Sequence, residues 1–154
     1  MKINRRILIA LTLLLTAATA TFAANAHLGT WKLNESKSKV SGAKNDTVTY
    51  TEAKGDKMML TVEGVGKDGK PVKWTWEGKF DGKPHKIKGS PTADQMAVRM
   101  VDDHDNELTM MKDGKVVMTG MVKVAKDGKS RVVTTTSTDA NGKKHTEKAY
   151  YDKQ

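Results

Sequence analysis

From Lys67 to Lys83 the chain reads KDGKPVKWTWEGKFDGK. Val72, Trp74, Trp76, Gly78 and Phe80 alternate with Lys73, Thr75, Glu77 and Lys79. A period of two is that of a β-strand with one face buried and the other wet. Asp68-Gly69 and Asp81-Gly82 bracket the run. Asp-Gly is a tight-turn signal, because a type I′ turn needs positive φ at both central residues. The stretch therefore predicts one strand between two hairpin turns, with its indoles facing inward.

The rest of the chain repeats this cell. Strands are expected over Leu28–Leu33, Thr47–Ala53, Lys57–Val65 and Pro84–Lys88, then around Met96–Met100. Further strands follow over Glu107–Lys112, Lys115–Val124, Ser130–Thr138 and Lys143–Tyr151. Turns stand at Lys54-Gly55-Asp56, Asp113-Gly114, Asp127-Gly128 and Asn141-Gly142. The polar stretch Asn34–Asp46 is a connection with room for one short helical turn. No segment holds a 3.6-residue period. The pattern predicts an all-β protein: an antiparallel up-and-down β-barrel of about eight to ten strands, with a two-sheet sandwich as its main rival.

The N-terminal segment has a different grammar. Lys2, Arg5 and Arg6 precede the apolar run Ile7–Leu15, and Ala24-Asn25-Ala26 places small residues at a cleavage site. Residues 1–26 thus read as a secretory signal peptide, and residues 27–154 as one domain exposed to the periplasm or the exterior. The apolar run falls short of the ~20 residues that span a bilayer, and no later stretch could cross one. Cysteine is absent, which excludes a disulfide scaffold, thiol catalysis and a lipoprotein anchor.

The net charge of +9 counts three residues of the leader. The remaining lysines stand beside turns, as Lys67, Lys112 and Lys143 do, or on wet strand faces, as Lys73 and Lys79 do. That is a solvated surface which also guards strand edges, not a basic run interleaved with aromatics for nucleic acid.

Gly29-Thr30-Trp31-Lys32-Leu33 carries a G-x-W at the start of the first mature strand, and Tyr150-Tyr151-Asp152-Lys153 closes the chain. These motifs resemble those of the calycins, above all the fatty-acid-binding branch. The whole mature chain is similar in pattern to small secreted bacterial lipocalin-like proteins. The resemblance implies a lipocalin-like barrel with Gly29 and Trp31 as structural residues, the Trp closing one end. It also implies a small apolar or amphipathic ligand in the lumen. The chain departs from the fatty-acid-binding pattern after the first strand, where about a dozen polar residues are too few for a two-helix lid.

Candidate ligand contacts follow from both lines. The apolar face predicts Trp74, Trp76 and Phe80. Methionine fills irregular space and adapts to flexible ligands, so Met58, Met96, Met100, Met110 and Met118 are expected to line a cavity or to serve as core filler. The family's R-x-Y anion hook on its last strand implies Lys148 and Tyr150 if Lys148-Ala149-Tyr150 holds that place. A one-residue shift matches the chain's ending instead and puts Ala149 there; the two registers exclude each other.

Other chemistry is sparse. Cleavage after Ala26 would leave His27 at the mature N-terminus, ordinarily an exposed residue, though its amine and imidazole could chelate copper beside a second His. Asp102, Asp103, Asp105 and Glu107 lack the spacing of a calcium loop and read as a solvated hairpin turn. Asn34-Glu35-Ser36 and Asn45-Asp46-Thr47 match the glycosylation pattern. No nucleophile, paired-carboxylate or phosphate-loop motif is present, so neither enzyme activity nor a cofactor or metal is expected. The functional expectation is a monomeric exported binding protein, or alternatively a packed barrel acting through its surface.

Overall fold

Ten strands, each paired antiparallel to its neighbours, close on themselves in a computed structural model that describes residues 25–154. The predicted leader lies outside the described residues, apart from Asn25 and Ala26. The first five strands are β1 (Gly29–Leu33), β2 (Lys44–Ala53), β3 (Lys57–Val65), β4 (Pro71–Gly78) and β5 (Asp81–Lys88). The others are β6 (Gln95–Met100), β7 (Asp105–Lys112), β8 (Lys115–Val124), β9 (Ser130–Thr138) and β10 (Lys144–Lys153). Each strand pairs with the next, and β1 closes the ring against β10 through Trp31↔Lys153 and Leu33↔Tyr151. This is the up-and-down barrel rather than the sandwich. Closure leaves little free sheet edge, the weakest seam being β4–β5, which pair only through Thr75↔Lys88 and Trp76↔Ile87. Among the described residues no helix is long and apolar enough to cross a membrane.

The turns use a different geometry from the one expected. Asp113-Gly114 (50° and 75°) and Gly55-Asp56 (72° and 57°) have positive φ at both residues, as a type I′ turn requires. At Asp68-Gly69, Asp81-Gly82 and Asp127-Gly128 only the glycine is left-handed. There the aspartate is a side-chain acceptor: its Oδ1 takes the N–H of Lys70, Lys83 or Lys129, at 3.0–3.1 Å. That is the Asx geometry, in which the aspartate keeps negative φ and the glycine takes the left-handed place. Asp81-Gly82 accordingly lies inside β5, and the turn after β4 is Lys79-Phe80. Phe80 leaves the strand but stays on the core, with its ring centroid 6.3 Å from that of Trp76.

Two levels of packing follow from the alternation. At one end of the barrel the side chains are sealed: Trp31 is 0% exposed, Trp76 1% and His27 0%. Both indole N–H groups find backbone acceptors there, Trp31 on His27 O at 2.9 Å and Trp76 on Met96 O at 2.8 Å. Buried indoles need such partners, and these bonds pin the rings in place. Gly78 sits beneath them, and a Cβ there would run into the Trp76 and His85 rings. The opposite end is ringed by the β1–β2 connection and the β3–β4, β5–β6, β7–β8 and β9–β10 turns. Its inward side chains, Met118, Val133 and Thr135, are only half-buried. The Asn34–Asp46 stretch forms turns there without a helix, and β2 begins inside it at Lys44.

Candidate functional site

The lumen narrows around one side chain that the alternation places inside. On β9, Arg131, Val133 and Thr135 share a face, and the pairing Tyr151↔Arg131 turns that face inward. Arg131 is 2% exposed. Its guanidinium carbon lies 4.8 Å from the Trp31 ring centroid, 4.8 Å from that of Tyr151 and 5.3 Å from that of Tyr50. Three aromatic faces attract the cation through their quadrupoles. No carboxylate pairs with it among the described residues. Its Nε and Nη1 are buried without a hydrogen-bond partner. Burial pushes the guanidinium below its ordinary pKa, and the neighbouring Tyr50 and Tyr151 work against that. An arginine remains charged even so.

A cavity of about 80 Å³ lies beside it. Its walls are mainly apolar, with Leu60, Val62, Trp74, Met96, Leu108 and Met110 among them, and its polar points are Asn45, Tyr50, Asn106, Thr135, Tyr151 and Arg131. Burial raises the Tyr151 phenol to about 12, with the Arg131 charge opposing. The phenol donates to Asn45 O at 3.0 Å. That carbonyl sits at the β-bulge between Asn45 and Thr47, where Gly64 lets the β2 and β3 backbones approach; a Cβ on Gly64 would strike Lys44 and Asn45.

His27 forms the floor. Its backbone N–H donates to Asn25 Oδ1 at 3.0 Å, and Leu28 N–H to Asn25 O at 3.0 Å, so residues 25–28 fold as a turn across the sealed end. Asn106 Nδ2 lies 3.2 Å from His27 Nδ1 and 3.3 Å from Nε2, and the Phe80 ring is 5.9 Å away, edge-on. Burial, with the Arg131 charge adding to it, lowers the imidazole pKa to about 4. The ring is therefore neutral near pH 7 and can accept from Asn106. His27 is thus not the exposed residue expected, and among the described residues no group of three metal-ligating His, Cys, Asp or Glu occurs.

No protein-family model and no curated protein matches the chain. Solved structures do match its shape. A mutant of the fluorescent protein UnaG is 17% identical, covering 82% of this chain and 94% of its own, with a TM-score of 0.52. A redesigned β-barrel, mFAP1, bound to DFHBI, is 12% identical over 86% of this chain and 98% of its own, with a TM-score of 0.43. EF1p2_mFAP2b, also bound to DFHBI, is 11% identical over 86% and 97%, with a TM-score of 0.46. The likeness to UnaG is one of fold alone.

The predicted contact residues divide three ways. Trp74, Met96, Met110 and Met118 line the cavity. Trp76, Phe80, Met58 and Met100 do not; Trp76 and Phe80 pack at the sealed end, Met58 is core at 7% exposure, and Met100 is half-buried. Lys148 and Tyr150 form no lumen hook: β10 turns Ala149 and Tyr151 inward, leaves Lys148 exposed and keeps Tyr150 outside. The register is set by Tyr151, which packs on Arg131 and pairs with Leu33. Gly29 has φ 108°, and Trp31 is fully buried at the sealed end under Lys153.

Arg131 was missed by the sequence reading, as were Tyr50 and Tyr151 as its companions. A signal for it exists. The chain uses lysine on nearly all its wet faces, and Arg99 and Arg131 are the only arginines after the leader. Arg99 is exposed and pairs with Glu107 at 2.6 Å. Arg131 instead alternates in phase with Val133.

Proposed function

We propose that this protein is an exported, monomeric, non-catalytic carrier of a small amphipathic anion. The acid group of the ligand sits on Arg131, and its apolar body lies against Trp74, Leu108 and the methionines of β6–β8. One observation carries this reading: a guanidinium held in the lumen with no carboxylate partner and two unpartnered nitrogens, beside an apolar cavity. A buried cation without a counter-charge is destabilising, and a bound anion supplies what is missing. Export rests on the leader. The lipid-like ligand expected from the sequence becomes, in this reading, one with an ionised head.

A second reading is favoured by the cavity itself. At about 80 Å³ it falls below the roughly 300–1,000 Å³ of drug-sized ligand pockets, as a packed barrel acting through its surface would have it. Titration of tryptophan emission separates the two. Under the carrier reading, an organic acid shifts the emission saturably, its neutral amide does not, and Arg131→Gln abolishes the response. Equal binding of acid and amide, or no response to any acid, would leave the packed-barrel reading in place.

A further inference from the structure

Outside the lumen, the seam between β4 and β5 gathers a second set of polar groups. Its two cross-strand pairs are Thr75↔Lys88 and Trp76↔Ile87. Trp76 and Ile87 are buried, so Thr75 and Lys88 stand on the outer face. Continued pairing would set Glu77 opposite Lys86, but the ladder ends first. The His85 ring lies over Gly78 at that point, edge-on to Trp76 with centroids 5.9 Å apart, and a Cβ on Gly78 would strike it. An open cleft is left on the outside of the barrel, lined by Met59, Thr75, Glu77, His85, Lys86 and Lys88.

The chemistry of this cleft calls for an anion. Glu77, its one carboxylate, is taken by Lys57 on β3 at 3.1 Å. Lys86 and Lys88 are exposed and belong to none of the ion pairs among the described residues. His85 Nε2 is buried without a hydrogen-bond partner. Such a nitrogen carries a desolvation cost that an occupant removes. His85 lines this cleft and not the lumen cavity, so the occupant belongs on the outer side. We propose that the cleft binds a phosphate group, with Thr75 Oγ1, His85 Nε2 and the ammonium groups of Lys86 and Lys88 as donors. A phosphomonoester offers three strong acceptor oxygens where a carboxylate offers two, and two lysines balance its charge of about −1.5 to −2. The same lysines oppose a metal cation there. The site stands apart from the carrier reading, because Arg131 faces the lumen.

The test is calorimetric titration of the protein with inorganic phosphate, with acetate for comparison. Phosphate should bind saturably, and the His85 imidazole nitrogen resonances should shift along the same curve. His85→Phe keeps a ring against Trp76 and removes the nitrogen; it should weaken phosphate binding by at least about tenfold. The double variant Lys86→Ala/Lys88→Ala changes two exposed side chains and should do the same in an undisturbed fold. Arg131→Gln should bind phosphate as the parent does. Sedimentation with phosphatidylcholine vesicles, with and without phosphatidic acid, separates the sources of the group. Capture by the phosphatidic acid vesicles that is lost in the double variant assigns a lipid headgroup; phosphate binding without capture assigns a soluble phosphate. Unchanged affinity in His85→Phe or in the double variant, unmoved His85 resonances, acetate binding as well as phosphate, or no binding of phosphate or vesicles would overturn the proposal. Loss of phosphate binding in Arg131→Gln would also overturn it, by moving the anion into the lumen.

Discussion

Replacing Arg131 by Met should make the unliganded protein more stable. The guanidinium is 2% exposed, has no carboxylate partner and leaves Nε and Nη1 unsatisfied. The effective penalty for burying an ion is several kcal/mol. The three aromatic contacts at 4.8–5.3 Å return part of it, at ~0.5–2 kcal/mol each. Methionine has a similar reach, keeps the contacts with the rings and carries no charge. The difference should favour the variant by ~1–3 kcal/mol, since buried ionic groups replaced by apolar ones of like volume commonly gain that much. Guanidinium chloride unfolding reads this directly: the midpoint should rise at unchanged slope. In a domain of this size the melting temperature should rise by roughly 3–5 °C for each kcal/mol. A saturating carboxylate should then stabilise the parent and not the variant, by ~2.7 kcal/mol at a hundred times Kd. Loss of more than ~1 kcal/mol in Arg131→Met would refute the reasoning. It would mean that the rings and the cation form a self-sufficient cluster, with no deficit for a ligand to fill.

Protonating His27 opposes folding. Its pKa is about 4 in the fold and 6.5 in the unfolded chain, so the unfolded state binds the proton first as pH falls. Stability should therefore be flat above pH 6.5, drop by about 3 kcal/mol between pH 6.5 and 4, and level off below. Denaturant midpoints across that range would show it, and in His27→Gln the slope within the window should largely vanish. Lys148→Ala and Tyr150→Phe should leave carboxylate binding unchanged in the same titration that detects Arg131→Gln, because both side chains face away from the lumen. Trp76→Ala should cost ~3–5 kcal/mol in chemical denaturation, since a fully buried ring and its bond to Met96 O are both removed; a cost below ~1 kcal/mol would mean that the sealed end is loosely packed.

Local pattern alone decides the strands of this protein. Period two along Lys57–Val65 and Lys115–Val124 gives those strands to the residue, because a half-buried strand has no other way to sort its side chains. The Asp-Gly and Asn-Gly pairs locate four of the nine reversals for an equally local reason: a left-handed residue is needed, and glycine supplies it. Phe80 marks where this reasoning stops. It alternates in phase with Trp74 and Trp76, yet lies in the turn, because the core can be reached from a turn as well as from a strand.

The site depended on contacts between strands remote in sequence. Lys148-Tyr150 and Ala149-Tyr151 both alternate acceptably along β10, so the strand itself cannot choose between its faces. The choice falls to Leu33 on β1 and Arg131 on β9, which pair with Tyr151 once the barrel closes. Arg131 in turn is a surface residue by composition. It becomes a buried cation only where closure gathers Trp31, Tyr50 and Tyr151 around it from three other strands. Which face of a strand is inside is a property of the closed sheet, and so is the charge it encloses.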